Sequence, residues 1–186
     1  MIEDITRIDY NKIANAIDFY RCLGYRYLEV PWVVDLQSIK VTIPTNVSPH
    51  QVSLGERTAG FLVGSGEQSL LQIRDTLKPG RYQCATPCFR DEPHYNELRR
   101  PNFFKVELML VADSPTDKDV MEVLEHAQQF FGQYGPALIR PTEEGLDLYM
   151  NGFEVGSYGI RHYQGFTWVY GTGCAEPRLS QAVVNI

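Results

Sequence analysis

Apolar positions recur with two different periods along the chain. In "RIDYNKIANAIDFYRCLG", Ile13, Ile17 and Tyr20 share one face at helical spacing, Asp9 precedes them as an N-cap, and Gly24 stands where a helix should stop. The clearest helical stripe lies in "SPTDKDVMEVLEHAQQFFGQYG", where Val120, Val123, Leu124, Ala127, Phe131 and Tyr134 line up ahead of Gly135. "AGFLVGSGEQSLLQIRDTL" predicts a short strand, a Gly-rich turn and a helix from about Glu67. A terminal helix is predicted in "PRLSQAVVNI", with Pro177 suited to its first turn.

Elsewhere the pattern shortens to that of strands. "YRYLEVP" predicts a strand ended by Pro31, and 32–50, rich in Thr, Val, Pro and Asn, predicts extended and looped chain. "GRYQCATPCFRDE" and "FFKVELMLVA" predict a hairpin around the polar loop "PHYNELRRPN". "GLDLYMNGFEVGSYGIRHYQGFTWVYGTG" predicts an antiparallel meander, with Asn151-Gly152 as a tight turn. Strands paired in a hairpin and a meander, rather than alternating with helices, predict an α+β fold with an antiparallel sheet. No repeat, low-complexity tract or linker interrupts 1–186, so a single domain is expected.

Composition adds mainly exclusions. The 186 residues, 44% hydrophobic and 22% charged, suit a globular chain with a core. A net charge of −6 gives no global basic field for nucleic acid, leaving Arg99-Arg100 as the local basic patch or a solvated loop. Four cysteines form no disulfide framework at this length, which fits a reducing compartment. Cys84 and Cys88 share a strand face, but with no histidines in the pattern buried thiols are the better reading than zinc. The N-terminal "MIEDITRIDY" lacks a signal-peptide apolar segment, and no apolar run is long enough to span a bilayer, so a cytosolic protein is expected.

Chemistry concentrates in the predicted hairpin. Alternation puts Arg90 and Glu92 on one face of its first strand, and Phe103 and Glu107 on one face of its second. An arginine, a carboxylate and an aromatic ring on one surface would suit a nucleotide, the guanidinium taking phosphate and the ring a base. The hairpin by itself is read more simply as a surface ion pair beside a core phenylalanine.

The hairpin resembles motif 2 of the class II aminoacyl-tRNA synthetases, with Phe89-Arg90-Asp91-Glu92, then Arg99, Phe103 and Glu107 at that motif's spacings. "GYRYLEVP", with Gly24, Tyr25, Leu28 and Pro31 after a helix, resembles motif 1. "GTGCAEPRL", with Gly171, Gly173 and Arg178, resembles motif 3, although Pro177 stands where many members carry an acid. "GSGEQ" is similar to the Thr-x-Glu loop of some members, with Ser65 replacing threonine, and "NGFEVGSYGIR" to the strand before motif 3. "PCFRDE" and "FFKVEL" have a seryl-type flavour too short to assign serine.

This resemblance implies a class II synthetase-type antiparallel sheet flanked by helices, and ATP-dependent activation of an amino acid with Mg2+. Arg90 would bridge the substrate carboxylate and the α-phosphate, and Arg178 would face the γ-phosphate. Phe103 would stack on adenine beside Glu92, and Arg99 would reach the nucleotide. Glu67 would receive the α-ammonium, its simpler role being a favourable acid at a helix N-terminus. Glu154 would help hold Mg2+, its simpler role being an exposed strand residue. No anticodon-binding domain is recognised, so the acceptor is tRNA, a carrier protein or another molecule, and motif 1 implies a homodimer. The alternative is a non-catalytic paralogue acting as a binding or regulatory module.

Overall fold

Side-chain alternation in five long or medium strands builds most of a seven-stranded sheet. The computed structural model describes residues 8–44, 47–91 and 100–184. The chain runs α1 (Tyr10–Cys22), β1 (Arg26–Tyr27), β2 (Val33–Val34), α2 (Leu36–Thr42), β3 (Gln51–Leu54), β4 (Arg57–Leu62) and α3 (Gly66–Gln72). It continues β5 (Gly80–Phe89), β6 (Asn102–Val111), α4 (Asp117–Gly132), β7 (Leu138–Pro141), β8 (Leu146–Met150), β9 (Phe153–Tyr163), β10 (Phe166–Glu176) and α5 (Arg178–Val184). The large sheet has the order β1-β5-β6-β10-β9-β8-β7, antiparallel throughout except for the short parallel β1–β5 pair. A second sheet, β2-β4-β3, stands apart from it.

The predicted α+β class with an antiparallel sheet is the observed one. Asp9 caps α1 by accepting from the Asn11 and Lys12 N–H groups, and Gly24 follows it at φ 85°. Asn151 and Gly152 take φ 48° and 85°, the left-handed pair that a two-residue hairpin needs, and Gln164-Gly165 repeats the device. Two expectations change. Only Arg26–Tyr27 of "YRYLEVP" is strand, although Leu28 N–H still reaches the Gln83 carbonyl at 2.9 Å. Within the segment expected to be looped, Leu36–Thr42 is a helix, begun by Asp35 accepting from Ser38 N–H. Its β-branched residues hide the helical period, and the cap was the signal.

One face of the large sheet packs against α1 and α4. Tyr20, Val106, Leu108, Val123, Leu124, Phe130, Phe131 and Val169 form that core. On the other face α3 covers only part of the sheet, with Leu70 and Leu71 against Tyr82, Cys84, Met109 and Trp168. Burying this apolar surface drives both layers together. The remainder of that second face is left open, and the candidate site residues line it.

Strand β10 is closely packed in its middle. A methyl group on Gly171 would lie 2.8 Å from the Tyr158 ring, and one on Gly173 would lie 2.8 Å from the Tyr20 ring. The Tyr158 and Tyr20 hydroxyls donate to the Thr172 and Gly173 carbonyls at 2.7 and 2.9 Å. These glycines therefore admit two buried rings in mid-strand, where isolated sequence reading suggests a turn. The pairing of β10 with β6 shifts register between Thr172 and Cys174, a bulge beside the open face. Among the described residues, no helix is long and apolar enough to cross a membrane.

Candidate functional site

A cavity of about 450 Å³ occupies the open face of the sheet. Its floor comes from β6, β9 and β10, because alternation sends Phe103, Lys105 and Glu107 to one side of β6. The start of α3 forms one wall, and the start of α5 another. Gly66 makes the first wall possible: a methyl there would lie 2.9 Å from Cys84 Sγ and 3.0 Å from Glu107 Cβ. The helix start can thus rest directly on β5 and β6.

That contact brings two carboxylates close together. Ser65 Oγ donates to Glu107 Oε2 at 2.5 Å, and Glu67 N–H reaches the same oxygen at 3.3 Å. Lys105 Nζ pairs with Glu107 Oε1 at 2.9 Å, across a carboxylate only 1% exposed. Glu67 is also buried, and accepts from Arg161 Nη1 and from Trp168 Nε1, each at 2.7 Å. Burial pushes the Glu67 carboxyl above the ordinary range, Arg161 pulls it down, and the Glu107 charge adds to the rise. Each buried acid here has a resident cation, which removes most of the cost of burying it.

Arg90 follows the end of β5 and lines the cavity. Its Nε donates to the Gly64 carbonyl at 3.0 Å, and its guanidinium carbon lies 5.0 Å from the centre of the Phe103 ring. At the far side, Arg178 opens α5, with Nη1 3.5 Å from Glu154 Oε1 and 3.4 Å from the Glu154 carbonyl oxygen. Neither side chain of this second pair is buried, and both line the cavity. Glu176, also lining it, accepts from Asp9 N–H at 3.2 Å and from Ser180 Oγ at 2.7 Å, tying the start of α1 to α5.

Arg90, Phe103, Glu67, Glu154 and Arg178, distant in the chain, therefore meet around one space. Glu92 and Arg99 lie outside the described residues. Arg100 lines the cavity in their vicinity along the chain. Asp91 is exposed and forms an isolated bridge with Ser48, away from the cavity lining. Cys84 and Cys88 are buried thiols, burial pushing the Cys88 thiol up to about 11. Among the described residues, no group of three or more His, Cys, Asp or Glu could hold a metal ion.

Arg161, Trp168 and Lys105 escape the sequence reading. Arg161 and Trp168 are 94 and 101 residues from Glu67, so no local pattern joins them. The available signal is energetic: an acid buried against a sheet needs a partner on the facing strands.

The cavity thus offers an arginine and an aromatic ring at one end, an arginine at the other, and hydrogen-bonded carboxylates on its floor and its α3 wall. That distribution suits a molecule with an anionic part, a planar part and a small polar part.

No family model matches the chain, and no curated protein matches it by sequence. Solved structures match in fold. The cytoplasmic serine-tRNA ligase of Naegleria fowleri, in complex with AMP, aligns over 94% of this chain and 52% of its own, with TM-score 0.70 and 16% identity. The seryl-tRNA synthetase of Pyrococcus horikoshii, complexed with ATP, aligns over 96% of this chain and 50% of its own, with TM-score 0.73 and 17% identity. The chain spans about half the length of these structures, 52% and 50%. Its fold is a class II synthetase-type antiparallel sheet flanked by helices.

Proposed function

We propose that the chain, as one catalytic domain over 1–186, activates an amino acid as its adenylate at this cavity. The observation that carries the reading is the convergence of Arg90, Phe103, Arg178, Glu154 and Glu67 on one open sheet face. It is supported by the fold shared with two synthetases whose structures contain AMP or ATP. Fold alone hosts many activities, so the reading rests on the side chains.

In the proposed reaction, a carboxylate oxygen of the amino acid attacks the α-phosphorus of ATP. The bond to the β-phosphate oxygen breaks, pyrophosphate leaves, and no net proton transfer is required. Positioning and charge neutralisation supply the rate. Arg90, anchored through Nε on Gly64, presents its terminal nitrogens to the carboxylate and the α-phosphate together. Phe103 offers a ring to adenine, and Arg178 faces the outer phosphates from the opposite wall. Glu92 and Arg99 retain their proposed nucleotide contacts. Glu67 receives the α-ammonium. Glu154, with its side chain 42% exposed, fits an Mg2+ ion brought in on the triphosphate, which would neutralise charge on the phosphates.

The acceptor is tRNA, a carrier protein or another nucleophile-bearing molecule. The same reading implies a two-fold dimer through α1 and the following strand, with Trp32, 53% exposed, lying just beyond that strand. A concentration-independent monomer in light scattering would sink that part.

The deciding experiment is ATP–pyrophosphate exchange against all twenty amino acids, with ATP binding measured in parallel. Exchange with one or a few amino acids is expected, and it also names the substrate. ATP binding with background exchange would support the non-catalytic binding module instead. Loss of both would remove the nucleotide site.

A further inference from the structure

Both oxygens of the buried Glu67 carboxylate are gripped by this chain. Arg161 and Trp168 are direct cross-strand partners on β9 and β10, so their side chains leave the same sheet face and close on Glu67 as a pincer. Arg161 is itself held in place. Its guanidinium carbon lies 3.8 Å from the centre of the Tyr170 ring, and Nη2 lies 3.8 Å from Glu144 Oε2. A purely structural ion pair would have no reason to face a cavity, yet Glu67, Arg161 and Tyr170 all line this one.

We propose that Arg161 is the positioning residue of the amino-acid subsite: with Trp168 it keeps the Glu67 carboxylate ionised and fixed in rotation at the cavity wall, ready to receive a substrate ammonium. The proposal rests on the reading of Glu67 as the ammonium receptor. A carboxylate so deeply placed, beside the Glu107 charge, would take up a proton without a cation of its own. Lys105 is engaged by Glu107, and Cys84, Tyr170 and Glu144 bring no positive charge. Arg161 is therefore the cation that makes Glu67 an anion.

The test follows Glu67 directly by carbon-detected NMR of its side-chain carboxyl in the full chain, assigned with Glu67→Gln. In Arg161→Gln the titration midpoint is expected to rise by about one unit or more, and Arg161→Lys should bring most of it back. An unmoved midpoint in Arg161→Gln would overturn the proposal. In exchange assays, Arg161→Gln is expected to raise KM for the amino acid, by up to about tenfold per unit of midpoint rise, a limit reached at pH below the native midpoint, where one unit changes the ionised fraction tenfold. That loss should shrink as pH rises and the carboxyl re-ionises, while KM for ATP stays unchanged. Equal, pH-independent losses for both substrates would mark Arg161 as scaffold only and overturn the proposal. If Arg161→Gln does not fold, Arg161→Lys and Trp168→Phe provide the same readouts, with smaller shifts in the same direction. Absence of exchange in the native chain would defeat the adenylate reading, while the carboxyl titration would still decide what Arg161 does to Glu67.

Discussion

The Arg90 guanidinium lies over the Phe103 ring, its carbon 5.0 Å from the ring centre, while Nε is tethered to Gly64. The tether and the ring hold the fork in place before any ligand arrives. Arg90→Ala is expected to lower amino-acid-dependent exchange by about 100- to 1,000-fold, the scale of losing one preorganised donor to developing charge. Arg90→Lys keeps the charge but not the fork, and should recover only part of the rate. Exchange within a few-fold of the native chain in the alanine variant would remove Arg90 from the chemistry.

Lys105 and Glu107 test the cost of an unmatched charge. With the lysine side chain 13% exposed and the glutamate 1% exposed, Lys105→Met leaves a carboxylate buried without its cation. It should cost about 3 kcal/mol in urea unfolding. The double variant Lys105→Met, Glu107→Gln should recover most of that loss. An additive double variant would show that the two residues act independently.

Packing at β10 gives a separate stability prediction. Gly173→Ala drives a methyl against the buried Tyr20 ring and should cost about 1–3 kcal/mol by overpacking. Tyr20→Phe keeps the ring but strands the Gly173 carbonyl, and should cost about 1 kcal/mol. Both losses are read from thermal or denaturant unfolding. An alanine as stable as glycine at position 173 would contradict the packing described.

The start of α4 provides a pH-dependent term. Asp119 accepts from the Thr116 N–H at 2.7 Å and from its hydroxyl at 2.8 Å. These hydrogen bonds hold its carboxyl below the ordinary aspartate value of 3.8. The stabilisation is therefore complete above pH 3.8 and disappears as pH falls through the lowered folded value. Asp119→Ala should cost about 1 kcal/mol at neutral pH. The native and variant stabilities should converge on acidification, and a difference that persists unchanged would rule out the carboxylate as its source.

The elements that were legible in the sequence are those whose signals are local. Helices α1 and α4 announce themselves through caps and apolar stripes, and the meander through alternation and Asn151-Gly152. Helix α2 is obscured because Ile39, Val41 and Thr42 favour extended chain, and its capping Asp35 is a single weak mark. The site divides in the same way. Arg90, Phe103 and Arg178 belong to stretches with recognisable spacing, whereas Arg161 and Trp168 acquire their places only when β9 pairs with β10 and turns them toward Glu67. Partner choice across a sheet depends on register, which neither residue reveals alone.

The irregularity between Thr172 and Cys174 has a bearing on how this surface can change. Upstream of it, Trp168 and Tyr170 point toward the cavity side and Val169 toward the helical core; downstream, Cys174 joins that core and Ala175 lines the cavity. The extra residue inverts the parity of the strand, so even positions face the cavity before it and an odd one after it. Straightening the bulge at unchanged length would restore strict alternation and exchange the two faces from that point on, sending Cys174 toward the cavity and Ala175 toward the core, whereas deleting Gly173 would leave both where they are. Substitutions can retune single groups on this wall, but which groups reach it beyond Thr172 depends on the strand keeping its bulge.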